Sequence, residues 1–210
     1  MMRARPSPTD LEELVYGHER WVASLGANGR QLVLEDTDLI GVDLAGRDLA
    51  EAYLGGSRLV GAGLDGAQLG GANLIDADLS EASLIGAILG KADLSKARLV
   101  RARLGDAILT RADLSEADLR EANLAGANLV GAHLVATDLR GAELAGALLE
   151  RTLLEGTRLG RARLHGARGV DRVVVHGPID TGPDEASEWR SGSEALDWLA
   201  QQARELSPPG

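Results

Sequence analysis

The chain of 210 residues has no cysteine and no phenylalanine, and aromatic residues make up only 2% of it. Without cysteine there is no disulfide framework, no thiolate ligand and no thiol nucleophile. With so few large rings a wide globular core would be hard to fill, because aromatic side chains bring the largest buried areas. No run approaches the roughly 18 apolar residues of a membrane span. The opening residues, Met1-Met2-Arg3-Ala4-Arg5-Pro6, have no apolar stretch behind their arginines, so a secretory leader is not expected. These absences predict a cytoplasmic protein with no cofactor, no bound metal and no membrane contact. The net charge of −10 points to a basic protein partner and away from direct binding of nucleic acid.

What is present is a repeat. Twenty-seven leucines stand five residues apart, from Leu34 through Leu99 to Leu164, with no break in register. Five residues turn an α-helix by about 500°, so such leucines form no stripe on it. On a continuous strand an odd period sends alternate leucines to opposite faces. The leucines share one interior only if the chain bends once per repeat. Two residues before each leucine there is usually alanine, without exception from Ala62 to Ala132, and a spacing of two on extended chain means the same face. The residue between them points outward and is mostly polar, as at Asp38, Asp43, Asp78, Arg98 and Asn123. The second residue after the leucine is glycine in thirteen of the twenty-seven repeats, which places the bend there.

Segments such as Ala77-Asp78-Leu79-Ser80-Glu81 and Ala122-Asn123-Leu124-Ala125-Gly126 resemble the pentapeptide-repeat family, whose pattern is A-(D/N)-L-x-x. The resemblance covers about residues 32–168. It implies an all-β solenoid, a right-handed quadrilateral β-helix with four repeats per coil, hence about seven coils and a rod on the order of 32 Å long. Departures from the pattern gather toward the ends. Val42, Arg47 and Ser57 replace the inward alanine early, and Thr152 and Thr157 replace it late.

Residues 1–8 read as a disordered tail and 9–31 as an N-terminal helical cap. There Thr9-Asp10-Leu11-Glu12 forms a capping box, Leu11, Leu14, Val15, His18, Trp21, Val22 and Leu25 follow helical spacing, and Gly26 is the stop. Residues 32–168 are the solenoid. Residues 169–210 read as a C-terminal cap: a short strand at Val173–Val175 closed by Pro178, a loop over 177–193, and a helix over about 192–205 with Ala195, Trp198, Leu199 and Ala203 inward, ending before Pro208-Pro209. Trp21 and Trp198 are the expected bulky end caps.

No catalytic constellation emerges. Gly61-Ala62-Gly63-Leu64-Asp65-Gly66 matches G-x-G-x-x-G, but a dinucleotide site needs that loop between a strand and a helix, and here Ala62 and Leu64 keep the inward register of the repeat. His18, His133, His165 and His176 lack metal-ligand spacing. A rod with a filled interior offers no concave site for paired carboxylates, so no enzyme is expected.

Outward residues twenty apart should stack on neighbouring coils. One column reads Asp38, Arg58, Asp78, Arg98, Asp118, Asp138, Arg158, an alternating charge ladder; another reads Asp48, Gln68, Ile88, Ile108, Asn128, Leu148. Apolar residues in an outward slot serve no core purpose, so Ile88, Ile108 and Leu148 are the candidate partner surface, with Ile88 and Ile108 expected to be adjacent and exposed. Between Leu34 and Glu81 there are ten acids against two bases, and between Ala82 and Arg111 two acids against six bases. The rod thus has an acidic first third and a basic belt. These features support a non-enzymatic protein–protein interaction scaffold, a monomer in preference to a homodimer.

The resemblance implies an alternative. Some family members bind DNA gyrase and give resistance to quinolones or to gyrase-targeting natural toxins by mimicking DNA. Glu35, Asp36, Asp38, Asp43, Asp48, Glu51 and Asp78 would then form the acidic surface. Against it stand the basic belt, a central position that is always leucine where such members mix in phenylalanine, and an end that the chain closes with its own helix.

Overall fold

A period of five requires a bend in every repeat, and the backbone of the computed structural model supplies it. The structure describes residues 4–183 and 186–204; Met1–Arg3, Glu205 and Pro208-Pro209 lie outside the described residues. Nearly every leucine carbonyl of the repeat accepts a hydrogen bond from the N–H three residues on, as in Ala82 to Leu79 and Ala112 to Leu109, both 3.0 Å. The second residue after every one of the twenty-seven leucines has φ between 52° and 70°, the left-handed conformation that a type II turn needs at its third residue. Thirteen of these corners are glycine and fourteen are not, so glycine is favoured at the bend without being required there.

Parallel bridges join residues twenty apart, Asp38 to Arg58, Arg58 to Asp78 and onward, so four repeats make one coil. Leu79 N–H donates to the Arg98 carbonyl at 2.7 Å, and Arg98 N–H donates to the Ala77 carbonyl at 2.9 Å. The same pair of bonds recurs around the coil. All twenty-seven leucines are buried, none more than 5% exposed. The inward threonines are satisfied inside: the Thr137, Thr152 and Thr157 hydroxyls donate to the carbonyls of Leu114, Leu129 and Leu134 at 2.8, 2.9 and 2.6 Å.

Helix α1 (Pro8–Ala23) is capped by Ser7, two residues before the expected Thr9. The Ser7 oxygen accepts the Asp10 N–H at 3.1 Å, and Pro8 opens the helix where its missing N–H is harmless. At the other end Leu25 takes φ 52°, and Gly26 N–H reaches back to the Trp21 carbonyl at 2.8 Å. That closure throws Leu25 off the apolar face of the helix and leaves it 97% exposed. Val15 and His18 are the residues of α1 buried in the core.

Strands β1 (His133–Val135), β2 (Leu153–Glu155) and β3 (Val174–Val175) form a parallel sheet. The stacking does not stop at residue 168. The offset grows from twenty (Leu148 with Arg168) to twenty-one (Leu153 with Val174) to twenty-two (Arg158 with Asp180). The 3₁₀ turn Val170–Arg172 takes up one extra residue, and the stretch before β4 (Ile179–Asp180) takes up the other. Within the segment read as a loop, β4 pairs antiparallel with β5 (Trp189–Arg190). Helix α2 (Gly192–Arg204) follows and buries Ala195 and Leu199 in the same core.

Candidate interaction surfaces

The outward slot has a structural task that the sequence reading missed. Oδ1 of Asp38, Asp43, Asp48, Asp78, Asp93 and Asp113 accepts the N–H two residues on, at 2.9–3.2 Å. Asn73, Asn123 and Asn128 do the same at 3.0–3.1 Å. These are Asx turns that satisfy the corner N–H. The preference for Asp or Asn before leucine is therefore a folding signal first. The spacing D/N-L-x was the available clue.

The acidic set is gathered into a ring and not into a stripe. Glu35 and Asp36 lie at one corner, Asp38, Asp43 and Asp48 on successive sides, and Glu51 at the next corner, all within the first coil. Asp38 pairs with Arg58 at 3.7 Å. Asp78 lies beyond Arg58 on the same column and faces Arg98 at 4.0 Å. Further along, Asp138 takes Arg140 at 2.5 Å and Arg158 at 3.6 Å. The Arg120 guanidinium holds the Asp118 carboxyl below its usual range, against the opposing effect of burial. This side of the rod largely neutralises itself. Lys91, Lys96, Arg98, Arg101 and Arg103 fall within a single coil, and Arg111 stacks beyond Lys91 on the next.

The column Asp48–Gln68–Ile88–Ile108–Asn128–Leu148–Arg168 is continuous, each residue bridged to the next. From Gln68 to Leu148 it carries no charge. Ile108 is 38% exposed, whereas Ile88 and Leu148 are half-buried. The expectation that both isoleucines are exposed is corrected on this point: Ile88, stacked between Gln68 and the longer apolar side chain of Ile108, is half-buried, while Ile108 has the shorter Asn128 on its far side. Asn128 separates Leu148 from Ile108. The corner before this face turns on Gly46, Gly66, Gly86, Asp106, Gly126, Gly146 and Gly166, and the residue ahead of each turn adds the side chains of Asp65, Ile85 and His165. The corner after it carries Glu51, Gly71, Lys91, Arg111, Gly131 and Arg151.

At the ends, Trp21 is half-buried and stacks on His18 with centroids 5.7 Å apart. Trp198 is partly buried against the core. The fully covered residues there are His18, Val15, Ala195 and Leu199, so the tryptophans flank the ends of the bore and do not fill them. The His18 Nδ1 accepts the Leu32 N–H at 3.0 Å. Arg47, which stands in an inward slot, turns toward α1 and pairs with Glu12 at 2.9 Å and Glu19 at 2.7 Å. The sequence flagged Arg47 as a departure without finding its partners, because those carboxylates are far away in the chain.

Gly61 and Gly66 of the G-x-G-x-x-G match are ordinary corners, with Ala62 and Leu64 buried between them. His133 points outward on β1, and His165 Nδ1 lies 3.9 Å from Glu143. Among the described residues no group of three or more His, Asp or Glu gathers as a metal site, and no helix is long and apolar enough to cross a membrane.

A family model described as pentapeptide repeats (8 copies) matches four overlapping stretches, residues 37–74, 63–99, 97–134 and 132–168. A search of curated proteins finds no match. Among solved structures, QnrB1, a plasmid-mediated fluoroquinolone resistance protein, is similar at 21% identity with a TM-score of 0.60, over 63% of this chain and 67% of its own. HetL, a pentapeptide repeat protein involved in heterocyst differentiation regulation in the cyanobacterium Nostoc, aligns at 28% identity with a TM-score of 0.31, over 80% of this chain and 97% of its own. The likeness to QnrB1 is one of fold, a right-handed β-helix solenoid.

Proposed function

The chain belongs to the pentapeptide-repeat family, and we propose that it works as a non-enzymatic scaffold in the cytoplasm. It is a four-sided rod of about seven coils that presents one flat face to a protein partner. The observation that carries this reading is the uncharged column from Gln68 to Leu148 in a chain with 26% charged residues. Elsewhere many outward acids and bases pair with one another or cap corners, as Asp38, Arg58, Asp78, Asp118 and Asp138 do; on this face Ile88, Ile108 and Leu148 can do neither. A filled, stiff interior presents such a face with little ordering entropy lost on binding. The test is capture of partners from host extract by the wild-type rod and by Ile88→Asp/Ile108→Asp. Aspartate already occupies this outward slot at Asp48, so the variant keeps the fold. A partner lost with the double substitution supports the face, and unchanged capture overturns it.

The alternative is a DNA mimic acting on gyrase. The fold shared with QnrB1 is compatible with either reading and does not choose between them. The acidic ring is confined to one coil, while duplex phosphates run the length of a groove, so the scaffold is the stronger reading. A supercoiling assay with gyrase, with and without a quinolone, tests the alternative, and protection at low micromolar rod would revive it.

A further inference from the structure

Two neighbouring columns of the uncharged face vary together. Where the outward slot is apolar, the corner three residues on is a cation: Ile88 with Lys91, Ile108 with Arg111, Leu148 with Arg151. Where it is an amide, the corner is glycine: Gln68 with Gly71, Asn128 with Gly131. In the first coil it is acid with acid, Asp48 with Glu51. Among the described residues Lys91, Arg111 and Arg151 carry no ion pair, unlike Arg101 at the diagonally opposite corner, which bonds Glu121 at 2.8 Å. At Gly131 an added Cβ would lie 3.4 Å from the Arg111 Cγ, so the glycine leaves room for that side chain to lie along the edge. On the opposite edge Asp65, Ile85 and Asp106 interrupt an otherwise glycine- and alanine-lined corner. The face is a shelf, low along that edge from Ala125 to Gly146 and walled on the other by three cations that make no ion pair among the described residues.

From this charge complementarity we propose that the shelf holds an acidic amphipathic helix of a partner protein, lying parallel to the rod. The inference rests on the reading of this face as the binding surface and adds the chemistry of its occupant. Coils are about 4.8 Å apart, so Ile88, Ile108 and Leu148 stand at about 0, 5 and 14 Å, and the cations keep the same steps. On a helix, residues i, i+3 and i+10 fall at about 0, 4.5 and 15 Å. One stripe of leucines can meet the apolar knobs while glutamates beside it meet Lys91, Arg111 and Arg151. A second copy of the rod fits less well. The shelf from Gln68 to Leu148 is about 19 Å long and one side wide, well short of the roughly 800 Å² per partner that a stable dimer buries.

The test uses the full chain and two synthetic helices of about 18 residues. One carries leucine and glutamate stripes in this spacing; the other has each glutamate replaced by lysine. Binding is read by fluorescence anisotropy at low and high salt. The wild-type rod is expected to bind the glutamate peptide about tenfold or more tightly than the lysine peptide, with the gap closing as salt rises. The triple substitution Lys91→Glu/Arg111→Glu/Arg151→Glu is expected to reverse the preference. Glutamate already occupies this type of corner at Glu51, Glu116 and Glu121 with φ near 60°, so the triple variant keeps its corners. Equal binding of both peptides, or none, overturns the acidic helix, as does a dimer abolished by Ile108→Asp. Failure of the peptides while host capture still depends on Ile88 and Ile108 overturns the occupant alone. Host capture indifferent to both isoleucines overturns the face itself.

Discussion

The two ends of the rod meet the same problem, an open bore lined by leucine, and hold their helices by different means. At the start, α1 precedes the first coil. Among the described residues its one backbone link is the Arg30 N–H to Gly17 carbonyl bond of 3.1 Å, so side chains fasten it: Val15 in the core, His18 on the Leu32 N–H, and Arg47 across Glu12 and Glu19. At the far end the chain stays in the stack beyond the last repeat, with Leu159 N–H on the Asp180 carbonyl at 2.6 Å and Gly156 N–H on the Pro178 carbonyl at 2.8 Å. Helix α2 then packs Leu199 and Ala195 into the core, and Gly166 N–H bonds the Ala203 carbonyl at 2.9 Å. A segment that continues the ladder inherits its backbone bonds, while a segment outside the ladder depends on its side chains.

The largest effect that separates the two ends is expected from Leu199→Ala. Removing a fully buried leucine at such a site costs about 3 kcal/mol. Hydrogen exchange should rise over β3 to α2 and stay unchanged in α1; a matching rise in α1 would mean that the ends are not independent. Next is Asp180→Ala. This carboxylate is 2% exposed and accepts the N–H groups of Gly182 and Glu188 at 3.1 and 3.0 Å and the Ser187 hydroxyl at 2.9 Å. Its loss strands those donors, at about 2 kcal/mol, and the effect should be nearly independent of salt. Arg47→Ala is the counterpart at the first coil. It should cost about 1 kcal/mol, shrink in high salt, and raise exchange in α1 alone. A salt-independent loss would show that the Arg47 stem matters through packing instead of charge.

A substitution far from both ends serves as reference. Glu116 bends its corner at φ 60°, and a left-handed residue other than glycine carries about 1–2 kcal/mol of strain. Glu116→Gly should therefore stabilise the rod by about 0.5–1 kcal/mol after the greater freedom of glycine in the unfolded chain is counted. Gly61→Ala, where an added Cβ meets nothing within 4 Å, should destabilise by about 1 kcal/mol on conformation alone. Urea unfolding checks both, and exchange at α1 and α2 should be unmoved by either.

The repeat was legible because it is local. Period, inward alanine and the glycine-rich bend all follow from contacts within a few residues or at a fixed spacing, and stacking multiplies each signal twenty-seven times. The uncharged column and its cations could be read at a step of twenty for the same reason. What escaped, apart from the Asx turns of the outward Asp and Asn, was whatever occurs once. Arg47 finds Glu12 and Glu19 across a helix whose placement no repeat encodes. The continuation from Val170 to Asp180 slips the register by single residues, which erases the period while keeping the pairing. Ile88 is shielded by neighbours that a one-dimensional column does not weigh.

The smallest effect is also the one that distinguishes the ends by pH. Burial pushes the His18 imidazole below its ordinary 6.5, with Asp48, the Ala50 carbonyl and Glu19 pulling more weakly the other way. The Nδ1 accepts a hydrogen bond from the Leu32 N–H, so the neutral ring carries its own hydrogen on Nε2, which has no hydrogen-bond partner among the described residues. Between the lowered folded pKa and about 6.5 the unfolded chain binds more protons than the folded one, so stability rises with pH there. The hold of His18 is complete above about 6.5 and weakens as pH falls toward the lowered value. The carboxylates act later. Glu19 lies below its usual 4.5, chiefly through the Arg47 hydrogen bond. Asp180 lies below 3.8, because the bonds from Gly182, Ser187 and Glu188, with Arg158 nearby, outweigh its burial. Each contributes stability above its unfolded pKa that is lost as pH falls through the folded one. On acidification from pH 7.5 the Leu32 amide should therefore lose protection first, once exchange is corrected for its intrinsic pH dependence, because a protonated Nδ1 cannot accept its hydrogen. The amides of Gly182 and Glu188 should hold until the carboxylate range. In His18→Leu the early step should vanish while the late one stays. Simultaneous loss at both ends, or an early step that survives the substitution, would mean that the first coil is not fastened through this imidazole.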